Sequence, residues 1–267
     1  MSTESPQARA ATGVLSARSL CVGYAGQALL PPIDLDLGAG RVTAILGRNG
    51  AGKSTLIKTL LGTLKPISGT IRRLKTPLKI ALMPQTRELD FQLPITVREF
   101  ASWGSLSGRG CLCRPWSTRG EGALVDRVLG ELGLGELGGR FLRELSEGQQ
   151  QRVLFARVLA TQADLALLDE PTAAMDAVFQ AEVMARLGQM ARERSMAVVV
   201  VTHALGALGG AVDDIALLDA DAGKVVVGPR DEVLRSETFA RRFGSLLPPP
   251  PEVSAPHSSA QEEARHG

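Results

Sequence analysis

The distribution of hydrophobic and polar residues predicts strands that alternate with helices along most of the chain. Predominantly apolar runs, which are typical of strands buried on both faces, occur within residues 41–46, 164–170, 197–202 and 214–220. Shorter or alternating runs predict further strands at 17–24, 33–37, 69–74, 79–83 and 224–228. This order predicts an α/β fold in which helices cover both faces of a parallel or mixed sheet.

Helical patterns fall between these strands. One helix is predicted at 55–62, directly after a glycine-rich turn, and an amphipathic helix at 179–194. The pattern is also helical from about 90 to 160, where the Gly-, Ser- and Arg-rich stretch 104–122 predicts a loop. We expect residues 1–13 to be a flexible start and the Pro- and Ser-rich residues 246–267 to be a disordered tail. The folded unit is therefore predicted to span 14–245.

Composition narrows the classes of function. The 30 basic and 28 acidic residues nearly balance, so no electrostatic footprint for nucleic acid is present and no nucleic-acid partner is expected. Three cysteines in 267 residues do not make a disulfide framework, which favours a reducing compartment. The first residues include Glu4 and no apolar stretch, which predicts no secretory signal. Residues 195–212 are uncharged, but their β-branched run and later glycines predict a buried strand and turn rather than a membrane span.

A glycine-rich segment carries the first candidate chemistry. GRNGAGKS (Gly47–Ser54) fits the pattern G-x-x-x-x-G-K-[ST], with a predicted strand before it and a helix after it. Glycines let successive backbone N–H groups surround phosphate oxygens, and the helix N-terminus adds partial positive charge. Lys53 can reach the β- and γ-phosphates, and the Ser54 hydroxyl can bind Mg²⁺. The segment predicts a site for a nucleoside triphosphate.

Polar residues at strand ends extend this site. Asp169 and Glu170 end a buried strand, where Asp169 suits Mg²⁺ and Glu170 suits a general base. Alone, they would better fit a solvated strand end, but the phosphate loop favours the functional interpretation. His203 follows another buried strand and fits a role near the γ-phosphate, or a capping or core histidine. Tyr24 follows a strand and could stack on a purine or pack in the core.

The stretch LSEGQQQR (145–152) predicts a helix N-terminus whose amides can meet an anion, because polar residues precede the apolar run VLFARVLA. Together these motifs resemble the ATP-binding subunits of ABC transporters, in which LSEGQ is similar to the signature LSGGQ. The resemblance covers about 14–245. It implies a P-loop NTPase (RecA-like) core with an antiparallel β subdomain and an inserted α-helical subdomain at about 90–160.

The same resemblance implies the role of each residue. Two copies sandwich two ATP molecules, and the signature of one copy caps the γ-phosphate bound by the other. Catalytic roles are implied for Glu170 and His203, and Mg²⁺ binding for Ser54, Gln85 and Asp169. The implied ATP-binding residues are Tyr24, Gly47, Asn49, Gly50, Ala51, Gly52, Lys53, Ser54, Thr55, Gln85, Ser146, Gly148, Gln149 and Asp176.

One position departs from the signature, because Glu147 stands where the family usually has glycine. Two like charges about 4 Å apart repel by roughly 4 kcal/mol at an effective dielectric of 20. We therefore expect Glu147 to point away from the γ-phosphate, where an acid near a helix N-terminus is mildly favourable. A degenerate, inactive signature is the alternative.

The resemblance also suggests a transport system. Residues 83–104, MPQTRELDFQLPITVREFASWG, are similar to the corresponding region of zinc and manganese importers. This implies an ATPase on the cytoplasmic face of the membrane that works with a separate permease, a second identical subunit and a periplasmic or surface solute-binding protein. Cys111 and Cys113 have no nearby histidine partners and predict no metal cluster of their own. A siderophore or haem importer, a soluble iron–sulfur assembly ATPase and an ATP-binding regulator without turnover stay open.

Overall fold

The computed structural model describes residues 13–85, 91–104, 119–171, 177–203 and 210–244. The predicted disordered tail, Asp176, Cys111 and Cys113 lie outside these residues, as do residues 1–12 of the predicted flexible start. The predicted flexible start is wrong at Gly13, which is the first residue of a strand.

Strands β1 to β11 are, in chain order, Gly13–Cys21, Gly23–Tyr24, Gln27–Ala28, Ile33–Gly38, Val42–Gly47, Ser68–Arg73, Ile80–Met83, Leu165–Asp169, Ala197–Thr202, Asp214–Asp219 and Lys224–Pro229. Helices α1 to α7 are Lys53–Leu61, Val97–Ser102, Arg119–Glu131, Glu147–Ala160, Ala177–Arg194, Arg230–Leu234 and Glu237–Phe243. No helix in the described ranges is long and apolar enough to cross a membrane.

The central sheet has the strand order β11-β10-β5-β9-β8-β7. Strands β10, β5, β9, β8 and β7 are parallel, whereas β11 is antiparallel to β10. The continuous apolar runs form its centre, and every residue of β5 and β9 is buried. This confirms the predicted α/β class with a mixed sheet. Because the parallel strands share one direction, their carboxyl ends meet at one edge.

A second, antiparallel sheet packs against one face of the central sheet. Its order is β4-β1-β6, and β2 and β3 form a separate two-stranded ribbon. Buried side chains of the small sheet share one apolar cluster with α1 and the central strands; it includes Leu15, Leu35, Ile45, Leu56 and Leu167. This cluster fixes the phosphate-loop helix between the two sheets.

Helices dominate the described residues between 91 and 160, which contain one isolated bridge, Thr96 to Phe141, and no strand. Helices α2, α3 and α4 contact one another. Phe100, Val128 and Leu154 join the apolar cluster that covers the other face of the central sheet. The helical segment is thus anchored to the core through α4. The predicted loop 104–122 differs in its last residues, because α3 begins at Arg119.

Candidate active site

The site lies at the edge where the parallel strands end. The phosphate loop follows β5, Gln85 follows β7, Asp169 ends β8 and His203 follows β9. Residues from the strand ends and from the start of α4 line one cleft of about 1040 Å³, including Lys53, Asp169 and Glu147. The sheet topology therefore brings together side chains that are more than 100 residues apart in the sequence.

The phosphate loop is shaped by close backbone packing. A Cβ on Gly47 would lie 2.9 Å from the carbonyl oxygen of Leu218 on β10, so only glycine lets the two strands pair here. Gly52 precedes α1 with φ 87°, a left-handed conformation that glycine adopts without strain. Lys53 Nζ donates hydrogen bonds to the carbonyl oxygens of Gly47 and Arg48, each at 2.9 Å. The loop is thus folded around its own lysine.

Lys53 is a nearly buried cation, with 7 % of its surface exposed. Burial lowers the pKa of Lys53, and the negative charges of Glu170 and Asp169 partly offset this effect. A buried cation at a helix N-terminus favours an anionic ligand. The electrostatics therefore fit the predicted phosphate site.

Ser54 and Asp169 form an oxygen pair beside the loop. Ser54 Oγ donates a hydrogen bond of 3.0 Å to Asp169 Oδ2. Hydroxyl and carboxylate oxygens are the ligands that Mg²⁺ prefers, and the ion commonly takes only one or two from the protein. These two residues fit a Mg²⁺ site. Gln85 is placed differently, because its Nε2 donates to Glu170 Oε2 at 2.8 Å, so its binding of Mg²⁺ stays a prediction.

Glu170 is held from several sides. Its φ is 50°, a left-handed conformation that is uncommon for a residue other than glycine, and its backbone N–H donates to Val201 O at 3.0 Å. The carboxylate accepts the bond from Gln85, and its Oε1 lies 3.1 Å from His203 Nδ1. The Glu170 side chain is 13 % exposed, whereas that of His203 is 57 % exposed. A carboxylate fixed in this way can accept a proton from a water molecule in the cleft.

Tyr24 lies in the β2–β3 ribbon and is 49 % exposed, which excludes the core-packing interpretation. The Thr55 hydroxyl donates to the Tyr24 hydroxyl at 3.3 Å, so the tyrosine is joined to the start of α1. Its role in stacking on a purine stays a prediction.

The stretch LSEGQQQR begins a helix as predicted. Ser146 caps α4: its Oγ accepts from the Gln149 N–H at 3.4 Å, and Gln149 Oε1 accepts from the Ser146 N–H at 3.0 Å. Glu147 is exposed in the first turn, and an added Cβ on Gly148 would meet nothing within 4 Å. Packing within the chain therefore does not require glycine at 148. How Glu147 faces a partner's nucleotide stays a prediction.

Sequence reasoning did not single out Gln151, which the structure places against Glu170. Its side chain is 1 % exposed and donates to the carbonyl oxygens of Glu170 and Pro171. Helical spacing carried a signal for its burial, because Gln151 lies three and four residues before the buried Leu154 and Phe155.

The ABC transporter family matches residues 30–173, more than half of the chain. The chain belongs to the ABC transporter family. A candidate metal transport system ATP-binding protein of Chlamydia pneumoniae is 39% identical over 86% of this chain and 88% of that protein. The zinc import ATP-binding protein ZnuC of Paramagnetospirillum magneticum is 32% identical over 86% and 82%. The manganese transport system ATP-binding protein MntB of Listeria innocua is 32% identical over 86% and 96%.

Comparison with solved structures also indicates an ABC transporter subunit. A candidate metal-chelate type ABC transporter in an inward-facing conformation superposes with a TM-score of 0.76 at 30% identity, covering 87% of this chain and 89% of that one. The chain is thus an ABC ATPase with a P-loop NTPase fold, and it binds and hydrolyses ATP. Like other ATP-binding subunits of transporters, it dimerises and works with a membrane permease.

Proposed function

We propose that this ABC ATPase powers the import of zinc or manganese through a separate permease. The names of its relatives, at 32–39% identity over 86% of the chain, carry the proposal. The likeness of residues 83–104 to zinc and manganese importers supports it. A solute-binding protein outside the cell would deliver the ion, and the ATPase would sit peripherally on the cytoplasmic face. The ATP-binding domain is proposed to span 14–245, with the helical subdomain at about 90–160.

The phosphate loop is proposed to hold the triphosphate. Lys53 would exchange its bonds to the loop carbonyls for phosphate oxygens, and the amides of the loop would donate to the remaining oxygens. Ser54 and Asp169 would hold Mg²⁺, which neutralises phosphate charge when it is bound. Tyr24 would stack on the base; its exposure and its hydrogen bond with Thr55 on α1 support this role.

Glu170 is proposed to be the general base. Gln85 and His203 fix its carboxylate, and all three residues line the cleft that would receive a water molecule and a γ-phosphate. Glu170 would take the proton of the attacking water. His203 would orient the carboxylate through one of its oxygens, while Gln85 holds the other. The signature residues Ser146, Gly148 and Gln149 are proposed to close this site in a second, identical subunit.

Metal content of cells tests the transport proposal. Deleting the gene should lower cellular zinc or manganese during metal limitation, as measured by elemental analysis. Restoring the gene should restore the metal, whereas a Glu170→Gln copy should not. Glu182→Gln is a matched control, because Glu182 is exposed on α5, away from the site. It should restore the metal fully.

Two results would redirect the proposal. If the deletion strain has a normal content of zinc and manganese but fails to take up ferric siderophores or haem, the ATPase serves a siderophore or haem importer instead. Isolation of the native protein without any multi-span membrane protein, together with lost iron–sulfur cluster assembly, would place it among the soluble ABC ATPases.

A further inference from the structure

The buried side chain of Gln151 joins the helix of the signature stretch to the backbone of Glu170. Gln151 is the fifth residue of α4, and 1 % of its surface is exposed. Its Nε2 donates to Pro171 O at 2.5 Å and to Glu170 O at 3.3 Å. One amide group therefore holds two successive carbonyls directly after strand β8.

This contact acts where the backbone of Glu170 has an uncommon conformation. The φ of Glu170 is 50°, and such a conformation persists only when neighbouring groups fix it. The bond from the Glu170 N–H to Val201 O fixes one side of the residue, and Gln151 fixes the carbonyl side. The direction of the carboxylate depends on both.

The amide of Gln151 is hydrogen-bonded through its nitrogen and not through its oxygen. Its Oε1 is buried and has no hydrogen-bond partner among the described residues. When the nitrogen of a buried amide is hydrogen-bonded and its oxygen is not, the oxygen loses its hydration without any compensating bond. An apolar side chain would avoid that loss but would leave the carbonyl oxygens of Glu170 and Pro171 without this donor, so the value of the amide lies in the two carbonyls that it holds.

We propose that Gln151 is a positioning residue that sets the direction of Glu170 and ties it to the signature helix. The inference rests on the proposed role of Glu170 as general base. Ser146, which caps α4, lies five residues before Gln151, so a shift of the helix start moves the amide as well. In the dimer, the signature of one subunit meets the nucleotide of the other. Closure on one nucleotide is thereby transmitted to the base that acts on the second.

Steady-state ATPase kinetics of the full-length protein test whether Gln151 positions Glu170. Gln151→Met removes the donor and keeps the length of the side chain; Gln151→Glu keeps the shape but places an oxygen at the donor position. Both should lower kcat about tenfold or more and leave the KM for ATP within about twofold, because the side chain of Gln151 donates to the carbonyls of Glu170 and Pro171 and not to the phosphate loop. Thr161→Val is the matched control. It removes a bond of 2.9 Å from the Thr161 hydroxyl to Arg157 O at the far end of α4, and it should leave kcat within about twofold.

A double-mutant cycle separates positioning from a structural role. In a Glu170→Gln background, Gln151→Met should cause no further loss of the residual hydrolysis, because it acts through Glu170. If the losses in hydrolysis rate from the two substitutions multiply in the double variant, the positioning role of Gln151 is wrong. An unchanged kcat in either folded Gln151 variant would overturn it as well. Thermal unfolding confirms that each variant is folded. If Glu170→Gln itself hydrolyses ATP at the parent rate, the proposed base is wrong, which is a distinct failure.

Discussion

At the scale of single residues, Glu170 combines a strained backbone with a well-fixed carboxylate. Gln85, His203 and Gln151 approach it from three different elements. The motifs predicted most residues around it, since strand ends and a glycine-rich loop are visible in the sequence. The pairing of Gln85 with Glu170 was not predictable, because contacts between side chains of neighbouring strands depend on register and rotamer, which the apolar pattern does not encode.

Exchange of the carboxylate for an amide separates binding from chemistry. Glu170→Gln is nearly isosteric, so Lys53 and Ser54 should still hold ATP, but the amide cannot accept the proton of water. Hydrolysis should fall by about 10²- to 10⁴-fold, as is typical when a general base is lost. Phosphate release and equilibrium ATP binding measure the two effects. An unchanged rate would exclude Glu170 as the base.

The acid in the signature gives a second prediction at this scale. Glu147 is exposed at the start of α4, where the helix dipole favours an acid, and we expect its carboxylate to point away from the partner's nucleotide. Glu147→Gly should therefore leave ATP hydrolysis within about threefold. A change of about 100-fold, or roughly 2.7 kcal/mol in the activation barrier, would show that the carboxylate acts in the site.

At the scale of elements, burial decided what could be predicted. Strands β5, β8, β9 and β10 are continuous apolar runs and were predicted almost to the residue. The ribbon of β2 and β3 was not separated from β1, because two-residue strands carry no periodicity. Helix α3 begins inside the predicted loop. The low helix propensity of Gly120 and Gly122 favoured a loop in the sequence, but the packing of the later turns of the helix outweighs it.

The edge strand β7, which leads to Gln85, is tied to β8 by a charged residue. Asp164 Oδ2 accepts from the Lys79 N–H at 2.8 Å, and Lys75 pairs with the same carboxylate. Burial raises the pKa of Asp164, but the hydrogen bonds from Lys75 and Lys79 outweigh it and leave the pKa below its ordinary value of 3.8. The paired carboxylate therefore stabilises the fold above that value, and its contribution is lost as the pH falls through the folded pKa.

Asp164→Asn should accordingly reduce the free energy of unfolding by about 0.5–1 kcal/mol near neutral pH, because the Lys75 partner is largely exposed. The difference from the parent protein should shrink as the pH falls below 3.8. Urea unfolding at several pH values measures it. A difference that stays constant into strong acid would show that the charge of Asp164 is not its source.

At the scale of the whole molecule, the carboxyl edge of the sheet carries the phosphate loop, the proposed base Glu170 and the start of the signature helix. Subunits of this family dimerise, so this edge is expected to face its copy across a two-fold axis. In size-exclusion chromatography, the Glu170→Gln variant should form a dimer with ATP and stay monomeric with ADP. The reason is that the variant binds ATP without hydrolysing it, so the ATP-bound dimer persists.

Adding Ser146→Arg to that variant should abolish the ATP-dependent dimer, since a long cation replaces the small cap that is expected to meet the partner's phosphate. ATP binding to the monomer should persist. A dimer that survives the arginine would show that the signature is not at the interface.

The left-handed backbone of Glu170 also has a consequence for engineering. A side chain other than glycine or asparagine in this conformation is destabilised by about 1–2 kcal/mol. Glu170→Asn relieves this cost but loses the hydrogen bonds to Gln85 and His203, so it should melt close to the parent temperature while it no longer turns over ATP. A selection for heat resistance alone would tolerate inactive proteins at this position, so any search for hardier variants of this ATPase must score turnover at every round.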